Sequence, residues 1–592
     1  MRPIFAMLLT ATACLWSIPA PAASAEAAPR PGAPNFVIIL ADDQGWGDLS
    51  LHGNTNLATP NIDSLARDGA MFERFFVCPV CAPTRAEFLT GRYHLRGGVR
   101  GVTTGQERMD LDESTIAEAF RAAGYATGAF GKWHNGSQWP YHPNARGFAE
   151  YYGFTSGHWG HYFDPFLEHN GKPVRGKGYI IDDLTDQALE FIQQNRERPF
   201  FCYLAYNSPH SPFQVPDRFY EKFKDHPVPM RESEKEELDK TRCVLAMVEN
   251  IDWNVGRVLA RLDELKLSDN TIVLYFSDNG PNTARWNGGM KGRKGSTDEG
   301  GVRVPCLVRW PGHIRPGVKI GAIAGAIDLL PTLTSMAGVE RTGSAPLDGR
   351  DLAPLLLDRQ READWPDRMI FTHQNGRVSV RTQQYRLDAA GALFDMEADP
   401  SQTRDLARQR PAVADRLSQA VAAWKAELLP KSPDQRPFPV GYPEFPMTPL
   451  PARDGVASGG VERSGSAPNC SYFTHWQTTD GRITWDVEVA TAGEYEATVY
   501  YTCPAADVGA TVELSFGAAR IQAKVTEAFD PPLWDDLDRV PRRGESYMKE
   551  FRPLKLGTFH LEPGRGELVL RALEIPGSQV MDMRAVVLTL MK

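Results

Sequence analysis

The residues best suited to chemistry form a short run, C-A-P-T-R, at positions 81–85. Pro83 lies two residues after the cysteine, good helix formers follow, and Gly91 closes the run, so the pattern predicts a short helix. Cys81 then stands at the helix N-terminus, where free N–H groups and the helix dipole favour an anion. Arg85, about one turn along, can point back at whatever occupies position 81. A buried, inert cysteine is the plainer interpretation, and this motif alone does not exclude it.

A second set of polar residues follows the ends of four predicted strands. Continuous apolar runs predict buried strands at 35–40, 125–130, 198–206 and 271–276. The polar residues after them are Asp42 and Asp43, Lys132 and His134, His210, and Asp278 and Asn279. Ligands of open α/β sheets bind outside the carboxyl ends of the strands, so we expect these side chains to share one crevice. One cluster could be a turn, but four coinciding strand ends favour a site.

Four of these residues, Asp42, Asp43, Asp278 and Asn279, offer only oxygen ligands. Such a set favours Ca²⁺ or Mg²⁺ over zinc, and its flexible carboxylates favour Ca²⁺. Three carboxylates this close repel one another unless a cation lies among them. The sequence therefore predicts a calcium site in this crevice, where the ion would stabilise charge on an anionic ligand.

Helical patterns alternate with the predicted strands. They cover 59–68, 114–123, 181–194 and 233–265, the last with a possible break near Asp252. Ser233 and Glu236 have the spacing of a capping box, which supports that start. Alternating strands and helices predict an α/β domain with a largely parallel sheet.

The C-A-P-T-R run resembles the C-x-P-x-R signature of the type I sulfatases, and L-T-G-R at 89–92 matches its second half. Further motifs follow in the order of that family: Asp42-Asp43, G-K-W-H at 131–134, Pro209-His210, D-N-G at 278–280 and K-G-S-T-D-E-G-G at 294–301. The similarity spans residues 35–405 and includes L-F-D at 393–395 and Asp399-Pro400. It implies an alkaline-phosphatase-like α/β core with a small α+β C-terminal subdomain.

The resemblance also implies roles for individual residues. Cys81 is converted to formylglycine by a maturation enzyme, and the hydrated aldehyde attacks sulfur. Asp42, Asp43, Asp278, Asn279 and position 81 hold Ca²⁺. Arg85 stabilises the hydrate, and Lys132 and Lys294 bind sulfate oxygens. His134 deprotonates the sulfated hydrate, while His210, assisted by Lys294, helps protonate the departing alcohol.

The sequence departs from the family pattern at two positions. Thr84 replaces the more usual Ser of the signature, and Asn135 follows His134 where Leu is common. Lys291 competes with Lys294 for the role of catalytic lysine, and Lys294 is preferred because it opens the K-G-x-x-x-E-G-G run.

Loops at 93–96, 157–162 and 282–286 combine aromatic and basic residues. This mixture suits stacking on a sugar ring with contacts to further sulfates or a uronate, and it is too polar for a steroid or a small aryl ester. His158, His161 and Arg285 are the candidate specificity residues, although a histidine in such a loop is more often structural.

Bulk composition describes an ordinary globular protein. The chain has 592 residues, 23% charged and 42% hydrophobic, with a formal net charge of -9, so it is too long for one core and not suited to nucleic acid. Residues 1–25 resemble a secretory signal, which predicts a periplasmic or secreted protein. The poor lipobox before Cys14 argues against a lipid anchor, and no later segment is apolar enough to span a membrane. Cys470 and Cys503 could pair in an oxidising compartment.

The composition changes after residue 429. Residues 430–451 are rich in Pro and 457–467 in Gly and Ser, which predicts a linker. Alternating runs at 483–489, 495–501, 511–516, 557–561, 567–572 and 585–590 then predict a β-sandwich of the jelly-roll kind. Packing against the catalytic unit and binding sugar are equally good interpretations of this unit.

The sequence thus predicts a signal peptide at 1–25, a catalytic α/β domain at 26–345, a subdomain at 346–429, a linker at 430–467 and a β-sandwich at 468–592. The predicted function is a calcium- and formylglycine-dependent sulfatase acting on a sulfated polysaccharide or oligosaccharide. A phosphate or phosphonate monoester hydrolase of the same superfamily is one alternative. A non-catalytic glycan-binding protein whose Cys81 stays a thiol is the other.

Overall fold

A ten-stranded mixed sheet organises the first part of the chain. The computed structural model describes residues 30–358 and 360–592, so the predicted signal segment lies outside the described residues. In spatial order the strands are Val318–Ile320, Ala70–Phe72, Cys306–Arg309, Thr271–Ser277, Asn35–Ala41, Phe200–Ala205, Ala126–Lys132, Glu150–Phe154, Phe166–His169 and Lys172–Arg175. The neighbouring strands from Thr271–Ser277 to Glu150–Phe154 are parallel. The predicted parallel α/β core is confirmed.

The strand Asn35–Ala41 shows why these apolar runs form the centre of the sheet. Phe36, Ile38 and Leu40 pack into the core on one face. The residues between them, Val37 and Ile39, pack into the core on the other face. Successive side chains of a strand point to opposite faces, so a strand covered on both sides must be apolar throughout.

The helices that cover the sheet match most of the predicted ones. The α-helices of the described residues are Pro60–Arg67, Cys81–Thr90, Ile116–Ala122, Ile180–Gln194, Asp217–Tyr220, Leu238–Glu264, Glu299–Val302, Leu329–Ala337, Ala353–Leu356 and Pro411–Leu428. Short 3-10 turns occur at Ser50–His52, Pro143–Ala145, Ser268–Asn270, Ala326–Asp328, Glu362–Asp364, Ala452–Asp454 and Ala505–Asp507.

Two details of the long helix were predicted wrongly. It begins at Leu238, not Ser233, and its N-cap residue Glu237 makes no side-chain capping bond. Glu236 instead accepts hydrogen bonds from Glu232 N and from the Thr241 hydroxyl, so the predicted capping box does not form. The helix is also unbroken at Asp252.

Two smaller sheets complete the α/β part. Arg303–Val304, Phe75–Phe76 and Ala324–Gly325 form one of them. Ile370–Gln374, Arg377–Arg381, Tyr385–Leu387 and Leu393–Asp395 form an antiparallel meander. The helix Pro411–Leu428 packs on this meander through Leu417. This is the predicted α+β subdomain.

The C-terminal part forms two facing β-sheets around a shared core. One sheet has the order Phe438–Val440, Arg482–Val489, Gly564–Glu574, Thr511–Phe516 and Ala519–Lys524, with Val456–Ser458 paired beside Arg482–Val489. The other has the order Glu462–Arg463, Phe473–Thr474, Asp582–Leu590, Gly493–Thr502 and Arg552–Leu561, with Met447–Pro451 paired beside Asp582–Leu590. The β-sandwich is therefore confirmed. The segment 430–467, predicted as a linker, contributes four of these strands, and the domain boundaries remain predictions.

Cys470 and Cys503, which the sequence allowed to pair, form no disulfide. Both thiols are buried and unpaired, as are the other cysteines of the described residues. Cys470 donates to the backbone oxygen of His158 in the α/β part at 3.3 Å, whereas Cys503 donates to the oxygen of Pro504 at 3.4 Å. No helix among residues 30–358 and 360–592 is both long and apolar enough for a membrane span.

Asp252 connects the long helix to the start of Pro60–Arg67. Its carboxylate accepts hydrogen bonds from the backbone N–H groups of Asn61 and Ile62, at 2.9 and 2.8 Å. Thr59, the N-cap residue of that shorter helix, makes no side-chain cap of its own. The orphan N–H groups of the helix start are therefore satisfied from a neighbouring helix.

Replacement of Asp252 by Ala should lower the free energy of unfolding by about 2 kcal/mol, because these donors lose a charged acceptor. Urea unfolding followed by tryptophan fluorescence measures the change. Glu264→Ala, an exposed position at the end of the same helix, is the control and should change it by less than about 0.5 kcal/mol. Equal effects of the two substitutions would contradict the capping role.

Candidate active site

Cys81 begins a fully buried helix at the carboxyl edge of the central sheet. The helix Cys81–Thr90 ends at Gly91, whose φ of 69° lies in the left-handed region that glycine adopts readily. The Thr84 hydroxyl donates to the backbone oxygen of Asp278 at 2.6 Å and accepts from Cys78 N at 2.9 Å. Thr84, the departure from the family's usual Ser, thus joins the helix start to the end of a central strand.

The predicted metal ligands converge in front of this helix. Ligand atoms of Asp42, Cys81 and Asp278 all lie within 4.8 Å of one another. Asp43 has a left-handed φ of 68°, and its backbone N–H donates to Asp278 Oδ1 at 3.1 Å. Asn279 Nδ2 donates to Asp43 Oδ1 at 2.7 Å. The strand ends therefore bring together groups that lie more than 230 residues apart in sequence.

Three buried oxygens in this group have no hydrogen-bond partner. They are Asp42 Oδ1, Asp43 Oδ2 and Asn279 Oδ1. Buried polar atoms are almost always paired, because leaving one unpaired costs about 1–3 kcal/mol. Unpaired oxygens of carboxylates and an amide are the donor set of a hard cation, so the residues present fit Ca²⁺ or Mg²⁺.

Each carboxylate of the site also faces one cationic side chain. Lys132 Nζ lies 2.7 Å from Asp42 Oδ2, Lys294 Nζ lies 2.6 Å from Asp43 Oδ1, and Arg85 Nη2 lies 2.8 Å from Asp278 Oδ2. Lys291 lies farther out, with its side chain about half exposed and 3.8 Å from Asp298. The structure therefore places Lys294, and not Lys291, at the carboxylates.

The pKa shifts show that the cations compensate the carboxylates unequally. Burial opposes ionisation of Asp42, but Lys132, His210 and Arg85 outweigh it and lower its pKa below the ordinary value. Burial and the nearby Asp42 raise the pKa of Asp278 to about 7 despite Arg85. The three cations thus match the three carboxylates in number, but burial leaves Asp278 harder to ionise than Asp42, and a bound cation would favour its ionised form.

The loop carrying Lys294 is fixed by backbone and subdomain contacts. Lys294 N donates to Pro281 O at 3.1 Å, and Gly295 N donates to Pro79 O at 2.8 Å. Arg386 of the C-terminal meander donates to Thr297 O at 2.6 Å. The subdomain therefore contributes to the site by holding this loop.

His134 is positioned to accept a proton. Its Nε2 lies 2.8 Å from Val102 O, where it can only donate, so Nδ1 is left as the acceptor. Nδ1 is buried and has no partner. Burial, reinforced by Lys132, lowers the pKa of His134 well below its ordinary value, so the ring is neutral at neutral pH. Asn135 beside it donates to Ala82 O at 3.2 Å and so supports the Cys81 helix.

His210 lies on the open side of the site. Its Nε2 is 3.6 Å from Asp43 Oδ2, and its Nδ1 is 2.7 Å from Ser211 O. With Asp43 and Lys294 it lines a pocket of about 320 Å³ that opens outward from the carboxylates. The bond from Nδ1 to Ser211 O leaves Nε2 facing the reacting side.

The three candidate specificity residues lie in different surroundings. His158 lies at the site, with its Nδ1 3.3 Å from His210 Nδ1. His161 packs against Trp534 of the C-terminal part at 4.8 Å between ring centroids. Arg285 is buried, paired with Asp48 at 2.7 Å and donating to Asp43 O at 2.8 Å, so its side chain holds the backbone of a predicted metal ligand.

Sequence reasoning missed a contribution from the C-terminal part. Glu545 Oε1 accepts a hydrogen bond from the Ser211 hydroxyl at 2.7 Å, and Arg542, Arg543 and Glu545 line the pocket. Glu545 lies more than 330 residues after Ser211 in a loop with no recognisable motif, so nothing in the sequence pattern pointed to it.

Two family models match the part of the chain that contains these residues. The model described as Sulfatase matches residues 34–339, and that described as N-sulphoglucosamine sulphohydrolase, C-terminal, matches 294–426. The chain belongs to the sulfatase family. The resemblance read from the motifs is confirmed, and the β-sandwich lies beyond the matched segments of this sulfatase.

The segments of curated relatives that align with this sulfatase cover most of each relative's length. N-acetylgalactosamine-6-sulfatase of Mus musculus is 33% identical over 404 residues, covering 61% of this chain and 72% of the relative. Arylsulfatase A of Homo sapiens is 34% identical over 414 residues, covering 62% and 78%. Steryl-sulfatase of Mus musculus is 32% identical over 458 residues, covering 61% and 70%. The chain is accordingly a sulfuric ester hydrolase.

Solved structures agree with this assignment. Ps i-CgsB in complex with k-i-k-neocarrahexaose is 31% identical, with a TM-score of 0.61, covering 67% of this chain and 93% of that one. The phosphonate monoester hydrolase of Agrobacterium radiobacter has a TM-score of 0.52 at 20% identity, which supports the fold alone. Because the family model and the curated relatives that match are sulfatases, the phosphonate alternative is not favoured.

Replacement of Lys132 by Met should lower the free energy of unfolding of the metal-free protein by about 3 kcal/mol, because Asp42 would stay buried without its closest counterion. Adding Asp42→Asn removes the uncompensated charge, so the double variant should recover most of that loss. Denaturant unfolding in excess chelator measures both. A double variant as unstable as the single one would contradict the pairing.

Proposed function

We propose that this sulfatase hydrolyses sulfate esters of a glycan, using formylglycine at position 81 and a bound Ca²⁺. The observation that carries the proposal is the convergence of Cys81, three carboxylates and three cationic side chains at one buried helix N-terminus. Cys81 as a thiol is a poor nucleophile here, because burial raises its pKa above the ordinary value. A maturation enzyme would convert Cys81 to an aldehyde. A hydroxyl of the hydrated aldehyde would then replace the thiol as the nucleophile.

The metal site is proposed to consist of Asp42, Asp43, Asp278, Asn279 and the converted residue 81. The unpaired oxygens of Asp42, Asp43 and Asn279 support this ligand set, and its all-oxygen character favours Ca²⁺ ahead of Mg²⁺. Ca²⁺ would neutralise charge on the sulfate ester and fix the nucleophilic oxygen. Arg85, held between Asp278 and Lys132 O, keeps the ligand Asp278 in place and is proposed to stabilise the hydrate.

The remaining residues bind sulfate and move protons. Lys132 and Lys294 present ammonium groups beside the carboxylates, where they can contact sulfate oxygens and stabilise charge in the transition state. His134 accepts a proton at Nδ1, the one ring nitrogen that its bond to Val102 leaves free. His210 would protonate the departing alcohol, since a basic alkoxide leaves poorly unless protonated. Because its Nδ1–H is bonded to Ser211 O, only the imidazolium form carries a proton on Nε2, the nitrogen that lies 3.6 Å from Asp43 Oδ2.

The polar pocket supports a glycan substrate. Lys240, Asn282, Thr283 and Arg543 line it together with the reacting residues. Steryl and glycan sulfatases are about equally similar to this chain, so identity alone does not choose between them. Phe213 and Val540 add apolar surface, but the amide, hydroxyl and cationic groups of the lining favour a hydroxylated, charged substrate over a steroid. The signal-like segment 1–25 supports a periplasmic or secreted location, where this sulfatase would act on the glycan.

The decisive experiment compares purified enzyme on aryl sulfate, sulfated oligosaccharides, aryl phosphate and aryl phosphonate. Sulfate esters should be hydrolysed fastest, and the mass of the peptide containing residue 81 should show an aldehyde in place of the thiol. Cys81→Ala should lower kcat by a factor of about 10⁴ or more with an unchanged melting temperature, because the nucleophile is removed. Faster phosphonate hydrolysis, or full activity with an intact thiol, would overturn the proposal.

Calcium binding is testable without activity. Chelation should lower the melting temperature, and Ca²⁺ at about 100 times its Kd should restore about 2.7 kcal/mol of stability. Asp43→Asn should abolish most of this Ca²⁺-dependent shift, because Asp43 supplies an unpaired ligand oxygen. Asp269→Asn, an exposed position, is the control. A melting temperature insensitive to chelator and Ca²⁺ would contradict the metal site.

A further inference from the structure

A long connection of the β-sandwich reaches into the catalytic part. Residues 525–551, here called the arm, join the strands Ala519–Lys524 and Arg552–Leu561. Connections longer than about 15 residues without regular structure are uncommon in compact domains, and those that are packed against the rest of the protein are usually functional. The arm lies in the part of the chain that follows both matched family segments.

The arm is anchored to the catalytic part along its length. Trp534 packs against the rings of His161 and Phe166, at 4.8 and 6.0 Å between centroids. The backbone N–H of Arg539 donates to Phe213 O at 2.8 Å, and its side chain donates to Val215 O at 2.9 Å. These contacts hold the arm against the segment that follows His210.

A buried ion pair fixes the shape of the arm beside the pocket. Arg542 Nε lies 2.7 Å from Asp538 Oδ2, and both side chains are almost fully buried. Gln214 of the catalytic part donates to the same carboxylate at 2.6 Å, and Arg542 donates onward to Ser546 O at 2.7 Å. Such a fully bonded pair specifies one conformation of the residues on either side of it.

Residues from two different parts of the chain therefore line the pocket in front of the reacting residues. Asp43, His210 and Lys294 form its floor, and residues 540–543 with Glu545 form the opposite wall. Its volume of about 320 Å³ is at the lower end of the range for small-molecule sites, about 300–1,000 Å³.

The arm wall also carries a cationic group that the fold does not require. Arg543 is 79% exposed, and its contact is a 3.5 Å pair with Glu237. Glu237 also pairs with Lys240 of the pocket at 2.9 Å. Two cations share one carboxylate, so these three side chains together carry one positive charge, while the Glu545 carboxylate of the same wall accepts a bond from the Ser211 hydroxyl. A half-exposed surface pair of this kind contributes little to stability.

We propose that the arm of the β-sandwich forms one wall of the substrate site and that Arg543 binds a second anionic group, a sulfate or a uronate carboxylate, on a neighbouring sugar of the substrate. Guanidinium groups bind planar or tetrahedral oxyanions through paired, charge-assisted hydrogen bonds. The β-sandwich is thus a specificity element of the active site, and this inference rests on the proposed glycan sulfatase function.

The test uses the full chain and three substrates with the same reacting sulfate ester. One oligosaccharide carries no other charge, one carries a second sulfate on the adjacent sugar, and one carries an adjacent uronate. Arg543→Gln should lower kcat/KM by about tenfold, mainly through KM, for a substrate with the second anion. It should leave the singly charged substrate within about twofold, because the reacting residues are untouched. The loss should shrink at high salt.

Arg520→Gln is the matched control, an exposed arginine on a strand of the same β-sandwich outside the pocket. Selective loss on the disulfated or on the uronate substrate would identify which anion Arg543 binds. Equal losses on all three substrates, no loss on any, or the same pattern in Arg520→Gln would overturn the inference while leaving the sulfatase function standing. Failure of the unmodified protein to hydrolyse any sulfate ester would overturn the proposed function, and the inference with it.

Discussion

The site depends on three carboxylates held together out of water. Asp42, Asp43 and Asp278 are almost fully buried at the ends of two adjacent parallel strands. Lys132, Lys294 and Arg85 each neutralise one of them, yet the pKa of Asp278 stays raised to about 7 and several oxygens remain unpaired. The surrounding structure therefore has to supply cations, and the oxygens that remain unpaired are suited to a bound metal.

The architecture that holds this charge is the parallel sheet and the helix in front of it. Strands covered on both faces are apolar until they end, so polar residues can only begin at their carboxyl edge. The Cys81 helix points its N-terminus at that edge, and Thr84 bonds it to the backbone of Asp278. The same helix thus carries Cys81 at its start and is bonded to a strand end that supplies a predicted metal ligand, and all of its residues are buried.

The C-terminal parts act on the site through the loops they hold. The meander fixes the Lys294 loop through Arg386, and the β-sandwich approaches His210 through Glu545 and its hydrogen bond with Ser211. Cys470 contributes another contact, to the backbone of His158. The β-sandwich therefore contacts the residues around the candidate site directly. It is not a separate module joined only by a flexible linker.

Much of this was determined by sequence alone, because it depends on local patterns. The apolar runs, the C-A-P-T-R helix and the polar strand ends depend on periodicity, capping and the geometry of parallel sheets, so they predicted the α/β core and the gathering of Asp42, Asp43, Asp278 and Asn279. The choice of Lys294 over Lys291 came from a motif, and the structure agrees by placing Lys294 against Asp43.

Tertiary structure decided the rest, because those outcomes depend on which distant surfaces meet. The long helix starts at Leu238 because Glu236 bonds elsewhere, the two C-terminal cysteines find different backbone partners, and the segment 438–463 pairs with strands far along the chain. The Arg285 side chain is buried because it forms an ion pair with the buried Asp48. The arm's place beside His210 had no local signal, since a loop's contacts across more than 300 residues leave no periodic pattern in its own sequence.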